Sequence, residues 1–264
     1  MTEFNNTQLQ TKLKVLLIGE TCTDKYEFCK VLKFSSEAPV PVVEKTRYYE
    51  KLGMAANVKL NLQKLGIDPD FITCTERISK TRFVDEKSFQ QLLRVDYDVN
   101  TALWTGTTDK PLSEYDAILI SDYNKGFLDY TAIENIITES TGLVFIDTKK
   151  TDLRRFYSDR VFVKINELEY KNTTSKPLHL VVTRGNKGTQ YYYDRKQIYP
   201  AFTVKEHELV DVCGAGDTFL AAFSYQYLIT KNIEDAIIFA NKAASITVQH
   251  LGNYAPSLKE IANA

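Results

Sequence analysis

The chain has 264 residues, with Lys+Arg 33 against Asp+Glu 34 for a formal charge of −1, and it is 44% hydrophobic and 25% charged. This near-neutral balance excludes a protein recruited by charge to nucleic acid or an anionic membrane, and the composition is that of a globular protein with a sizeable core. Cys22, Cys29, Cys74 and Cys213 are scattered, without a Cys-x-x-Cys pair or histidines at metal-site spacing, which excludes a zinc module and predicts free thiols in a reducing compartment.

The first residues, Met1 to Thr11, lack the character of a secretory signal, and no apolar run is long enough to span a bilayer. A cytoplasmic protein with no membrane partner is expected. Sixteen Tyr and 14 Phe accompany a single Trp. Their stretches alternate as strands do, so they are expected on sheet faces rather than stacked on nucleic acid.

In chain order, Lys14 to Gly19 is a short apolar run ending in glycine, the pattern of a buried parallel strand. Tyr26 to Lys51 and Thr81 to Asp98 alternate without helical spacing, the first with Pro39 and Pro41, and predict a small separate sheet. Met54 to Leu65 has helical spacing closed by Gly66. Ala117 to Ser121 and Leu143 to Asp147 are two more buried strands, flanking a helix over Tyr130 to Glu139. Val161 to Lys164, Leu178 to Thr183 and Glu208 to Val212 read as further strands, and Phe219 to Ile229 and Ile233 to Gln249 as helices. Alternation of this kind predicts one α/β domain over 1–264, doubly wound around a mostly parallel sheet, with a lid from about 25–51 and 81–98. Ligands then bind beyond the carboxyl ends of the strands.

The segment Asp211-Val212-Cys213-Gly214-Ala215-Gly216-Asp217 carries the strongest chemical signal. Two glycines before a helix let backbone amides converge on one point, where the helix adds partial positive charge. Such a corner suits a phosphate in transfer. A carboxylate at Asp217 adds nothing to phosphate binding but is suited to hold a hydroxyl nucleophile. At the first turn of a helix its pKa is expected below the usual value.

Gly19-x-x-x-x-Asp24, Gly53-x-x-x-Asn57, Asn166-x-x-Glu169 and Gly214-Ala215-Gly216-Asp217 occur in that order, and with them the chain resembles the ribokinase-type (PfkB) carbohydrate kinases. The blocks Ser36 to Val43, Gln90 to Asp96, Ser121 to Gly126, Ile146 to Lys149 and Phe239 to Ala244 narrow the likeness to the heptose-7-phosphate kinases of ADP-heptose synthesis. The resemblance runs from about Lys14 to Asn253. It implies a ribokinase-like fold, ATP and Mg²⁺ as cofactors, and transfer of a phosphoryl group to a sugar phosphate. It makes Asp217 the base, with Gly214, Ala215 and Gly216 around the migrating group, and assigns Asn166 and Glu169 to the magnesium region. Asp24, Gly53 and Asn57 become sugar ligands, and Arg94, Asp122, Lys125 and Lys149 substrate or anion contacts. Arg184, Gly185, Gly188 and Asn241 fall on the nucleotide side, and pairing of lid strands implies a homodimer.

The chain departs from the family at Met54, where a second glycine is expected, at Cys213 for Thr, and at Thr148 and Lys150 around the phosphate lysine. A thiol at a helix start can carry a lowered pKa and be open to oxidation, the other reading of Cys213 being plain packing. Only Ile67 to Ser79 stands where the family carries a further strand–helix unit. No fused nucleotidyltransferase domain is expected. Two alternatives stay open: a kinase of another sugar or a nucleoside, and a non-catalytic protein that binds sugar phosphate or nucleotide.

Overall fold

The computed structural model describes residues 13–264; the Met1 to Thr11 stretch read for a signal lies outside the described residues. Five strands are largely apolar and parallel: β1 (Val15–Gly19), β7 (Ala117–Asp122), β8 (Leu143–Thr148), β9 (Val161–Asn166) and β10 (His179–Thr183). With β4 (Asp70–Thr73), β11 (Thr189–Tyr192) and β12 (Lys196–Tyr199) they form an eight-stranded sheet of order β12-β11-β10-β9-β8-β7-β1-β4. The β10–β11 and β11–β12 pairs are antiparallel and the other pairs are parallel.

Continuous apolar strands need cover on both faces, and they have it. On one face Leu17, Leu119, Phe145 and Phe162 pack under α1 (Ala55–Lys64), α4 (Ala215–Thr230) and α5 (Ile233–Thr247). Phe223 of α4 meets Phe145 edge-on, with ring centroids 5.7 Å apart. On the other face Leu16, Ile18, Ile120 and Ile146 pack with Ile133 and Ile136 of α2 (Tyr130–Glu139). Two short helices, α3 (Glu167–Asn172) and α6 (Leu258–Asn263), complete the described helices.

A second sheet stands apart, of order β3-β2-β5-β6, built from β2 (Thr21–Phe34), β3 (Pro41–Met54), β5 (Ile78–Asp85) and β6 (Gln91–Tyr97). Both long strands join the main domain directly, because β2 leaves β1 after one residue and β3 runs into α1. The shortened 67–79 stretch keeps one strand, β4, which closes the edge of the main sheet beside β1; the chain then turns straight into β5.

Two expectations need correction. Glu208 to Val212 is no strand: residues 206–208 form a 3₁₀ turn, and the amides of Val210 and Asp211 donate to the Val248 carbonyl at 2.9 and 3.2 Å. With its donors spent on the end of α5, the segment has no ladder to join. The following helix starts at Ala215, four residues before the expected Phe219, so the anion turn is part of the helix itself. Among the described residues no helix is long and apolar enough to cross a membrane.

Candidate active site

Gly214 is the N-cap of α4 and has φ +77°, the left-handed region where a side chain is strained. A Cβ there would also lie 2.7 Å from Asn57 Nδ2 and 2.8 Å from Asn253 Oδ1, so glycine is required for space as well. The cap lets α4 begin abruptly at the crevice. Its first-turn amides have no partners earlier in the helix and carry the positive end of the helix dipole. Ala215 N–H makes only a long contact, 3.4 Å, to the Val212 carbonyl.

Asp217 sits in this first turn, 4% exposed. Tyr123 donates its hydroxyl to Asp217 Oδ1 at 2.8 Å, and Asn57 donates its amide to Oδ2 at 3.0 Å. The expected lowering of this pKa does not occur. Burial pushes the carboxyl up to about 6, against the opposing effect of the two hydrogen bonds; Asp147 raises it further and Lys164 lowers it. Desolvation outweighs the helix dipole because the group lies under α1 and the Tyr123 ring instead of in water. A carboxylate poised near 6 is a better proton acceptor than an ordinary aspartate.

Tyr123 is held from below. Its backbone N–H and that of Lys125 donate to the two oxygens of Glu20, at 2.8 and 2.9 Å, and Glu20 is fully buried. Asp122 accepts from Thr148 Oγ1 and, at 3.0 Å, from Lys150 Nζ. The two departures beside Lys149 therefore form a buried network with Asp122, which places Asp122 beneath the loop. Lys149 and Lys80 stand over the Tyr123 ring, Nζ to centroid 4.7 and 5.3 Å.

Asp24 is 3% exposed and occupied on both oxygens, by Arg82 Nη1 at 2.6 Å and Asn253 Nδ2 at 3.0 Å. Gly53 passes so close that a Cβ there would lie 2.1 Å from Asp24 Oδ2. Arg82 also reaches Cys213 Sγ at 3.3 Å, linking the second sheet to the anion turn. The Cys213 thiol is pushed up to about 11, chiefly by burial and then by Asp24, so no lowered pKa arises there. Met54 is buried with Ile18, Cys22 and Ile78 and takes φ 59°, ψ −132°, a conformation natural to the missing glycine.

Asn166 caps α3: its side chain accepts from the amides of Leu168 and Glu169, and Glu169 Oε2 accepts from Asn166 N–H at 2.7 Å. Burial and then the charge of the Asp147 carboxylate raise the pKa of Glu169. A divalent cation relieves that repulsion, and the donor set fits magnesium, which takes few protein oxygens and keeps its waters. Among the described residues no cage of three or more His, Cys, Asp and Glu side chains exists. Lys164, on β9, donates to Asp147 Oδ2 at 2.7 Å.

The remaining sequence-named residues have partners of their own. Arg94 is paired with Asp96 on β6, and Lys125 Nζ with Asp98, both at 2.6 Å. Arg184 pairs with Glu167 at 2.8 Å, beside the β10–β11 connection where Gly185 and Gly188 take φ 55° and 79°. Asn241 is buried and spent on both amide ends, accepting from Thr189 Oγ1 at 2.7 Å and donating to the Pro200 carbonyl at 3.1 Å. Sequence reasoning missed Tyr123, Glu20 and Lys164. Glu20 and Tyr123 each follow a strand end, whereas Lys164 lies inside β9, where a lysine amid apolar neighbours was the available signal.

The fold is ribokinase-like, and the pattern of the pfkB family of carbohydrate kinases matches residues 164–260 of the chain. Bifunctional protein HldE of Helicobacter pylori (strain J99) is 30% identical over 306 aligned positions, covering 94% of this chain and 65% of that protein. HldE of Aeromonas hydrophila is 29% identical over 96% of this chain and 64% of its own length. The chain thus spans a little under two thirds of these relatives, and an alignment longer than the chain itself reflects segments they carry and it lacks. Ribokinase from Thermotoga maritima superposes with a TM-score of 0.72 at 20% identity, covering 95% of this chain and 98% of that one. Arabidopsis thaliana ribokinase complexed with ribose and ATP gives 0.69 at 16% identity, covering 95% and 98%.

Proposed function

We propose that the protein transfers the γ-phosphoryl group of ATP to a hydroxyl of a phosphorylated sugar, a heptose 7-phosphate above other acceptors. One observation carries the reading: Asp217, buried at the opening of α4 and held by Tyr123 and Asn57, has a pKa of about 6 beside a ring of first-turn amides. A proton acceptor and an anion cradle at one point are the minimum for phosphoryl transfer to an alcohol.

In this reading the acceptor hydroxyl lies against Asp217, which orients it and takes its proton. The hydroxyl oxygen forms a bond to the γ-phosphorus as the bond to the β–γ bridging oxygen breaks, and ADP leaves with that electron pair. The amides of Gly214, Ala215 and Gly216 steady the group between donor and acceptor. Glu169 of the Asn166–Glu169 motif, with Asp147 nearby, would hold magnesium through water, and the ion would supply neutralisation of the nucleotide phosphate charge. Arg184, Gly185 and Gly188 flank the nucleotide, with Asn241 bracing the strand beside it. Lys149 and Lys80 offer the acceptor's own phosphate two ammonium groups beside the base. The second sheet serves as a lid, and its exposed Tyr48, Leu93, Val95 and Tyr97 support pairing of two copies there.

The similarity to HldE at 29–30% identity supports the heptose phosphate among possible acceptors. The test is turnover with ATP and Mg²⁺ against heptose 7-phosphate, ribose, fructose and adenosine in parallel. Preference for the heptose phosphate is expected; a higher kcat/KM for an unphosphorylated sugar or a nucleoside would replace the substrate assignment, and no turnover with any would remove the kinase reading.

A further inference from the structure

Lys164 lies on β9 among Val161, Val163 and Ile165, all fully buried, and its side chain is 5% exposed. A charged side chain in such a strand is costly unless paired. The pair is Asp147, its register neighbour on β8, at 2.7 Å. Stability alone does not explain it, because a well-packed apolar pair generally serves as well as a buried ion pair.

The position of the amine does explain it. A Cβ built on Gly216 lies 3.0 Å from Lys164 Nζ, the one atom that such a Cβ meets within 4 Å. Gly216 is not among the glycines with positive φ, so its backbone does not demand glycine. The space of its missing side chain is taken by the ammonium group. A cation against the opening of a helix is repelled by the helix dipole. Ammonium and first-turn amides therefore add to one positive potential, a placement that is favourable when an anion binds over the turn.

We infer that Lys164, clamped by Asp147 and seated against the bare face of Gly216, is a positioning residue that supplies a fixed positive charge to the anion turn and to Asp217. This inference rests on the phosphoryl-transfer reading of the same turn. Asp217 is faced by Asn57 from α1, Tyr123 after β7, Asp147 at the end of β8 and Lys164; Lys164 and the two hydrogen-bond donors lower its pKa, while Asp147 raises it.

The test compares wild type, Lys164→Gln and Gly216→Ala. Glutamine keeps a donor toward Asp147 while removing the charge, and alanine keeps the charge while displacing it. For Lys164→Gln we expect kcat to fall roughly 10–10³-fold with acceptor KM moved less than about threefold. We also expect the acid limb of the kcat–pH profile to move upward, and the ratio of ATP to ADP affinity, measured by calorimetry, to fall. Gly216→Ala should change the same quantities in the same direction and less. Wild-type values of kcat, acid limb and affinity ratio in Lys164→Gln would overturn the inference; should that variant fail to fold, the same result in Gly216→Ala would do so. A wild type without turnover would remove the kinase reading, and an unchanged ATP-to-ADP ratio would then still dispose of Lys164 separately.

Discussion

Asn57, in the first turn of α1, donates its side-chain amide to Asp217 Oδ2 across a sequence separation of 160 residues, at 3.0 Å, with both groups buried. The contact places the opening of one helix against the opening of another and fixes which oxygen of the carboxylate remains with Tyr123. Asn61 in turn donates to the Asn57 carbonyl at 2.9 Å and to its Oδ1 at 3.3 Å, so the amide cannot turn over freely. Several consequences can be measured.

Asp217→Asn should lower kcat by roughly 10²–10⁴ while leaving nucleotide affinity near that of wild type. Asparagine fits the site, accepting from Asn57 and donating to the Tyr123 oxygen. The variant should also be more stable at neutral pH. With the folded pKa at about 6, above the usual 3.8, the folded state holds the proton more tightly, and stability falls as pH rises between those values. Removing the carboxylate should return on the order of 3 kcal/mol at pH 7 and nothing below about pH 4. Melting curves across that range check it; a destabilised variant at pH 7 would contradict the burial argument.

Asn57→Ala removes a hydrogen bond that lowers the pKa of Asp217. The acid limb of kcat should move up from near pH 6 by about half a unit or more. A limb that stays in place would mean that Asp217 is not the group titrating in turnover.

Met54 offers a backbone test. Its positive φ costs about 1–3 kcal/mol, and its side chain is 3% exposed in the core. Met54→Ala should lose burial and keep the strain, costing about 2–5 kcal/mol. Met54→Gly loses the same burial but relieves the backbone, so it should be the more stable of the two by about 1–2 kcal/mol. Urea unfolding of the pair decides, and alanine at or above glycine would refute the strain.

Arg82 and Asp24 form a buried pair at 2.6 Å. Arg82→Met, which strands the carboxylate, should cost about 3–5 kcal/mol, whereas Arg82→Met with Asp24→Asn should cost less than Arg82→Met alone. The paired variant also tests Asp24 as a sugar ligand: KM for the acceptor should rise, and an unchanged KM would leave Asp24 only as the buried partner of Arg82 and Asn253.

Cys213 should alkylate slowly at pH 7–8, since burial holds its thiol near 11. Rapid modification by iodoacetamide at neutral pH, read by mass spectrometry, would show an exposed thiolate instead.

Much of the architecture was legible because local patterns and global packing agree. The apolar runs at Val15–Gly19, Ala117–Asp122 and Leu143–Thr148 are short, continuous and ended by polar or small residues, and only a covered parallel strand suits them. The segment before Gly214 misled because Leu209, Val210 and Val212 have strand propensity but no free edge beside them; the amides of Val210 and Asp211 go to Val248 and that of Leu209 to Glu206. The charge state of Asp217 misled for a related reason: a helix opening is local and visible, whereas the ring and helix that desolvate it come from distant parts of the chain.

From residue order alone came the family motifs, the strand–helix alternation and the glycine turn, since these depend on backbone freedom and on neighbours a few positions apart. The folded molecule decided the rest. Whether Asp217 accepts a proton, whether Asp24 faces a sugar or an arginine, and why Gly216 has no side chain depend on groups brought together from α1, β5 and β9. Desolvation and close contact act over a few ångströms in space, and sequence separation carries no record of either.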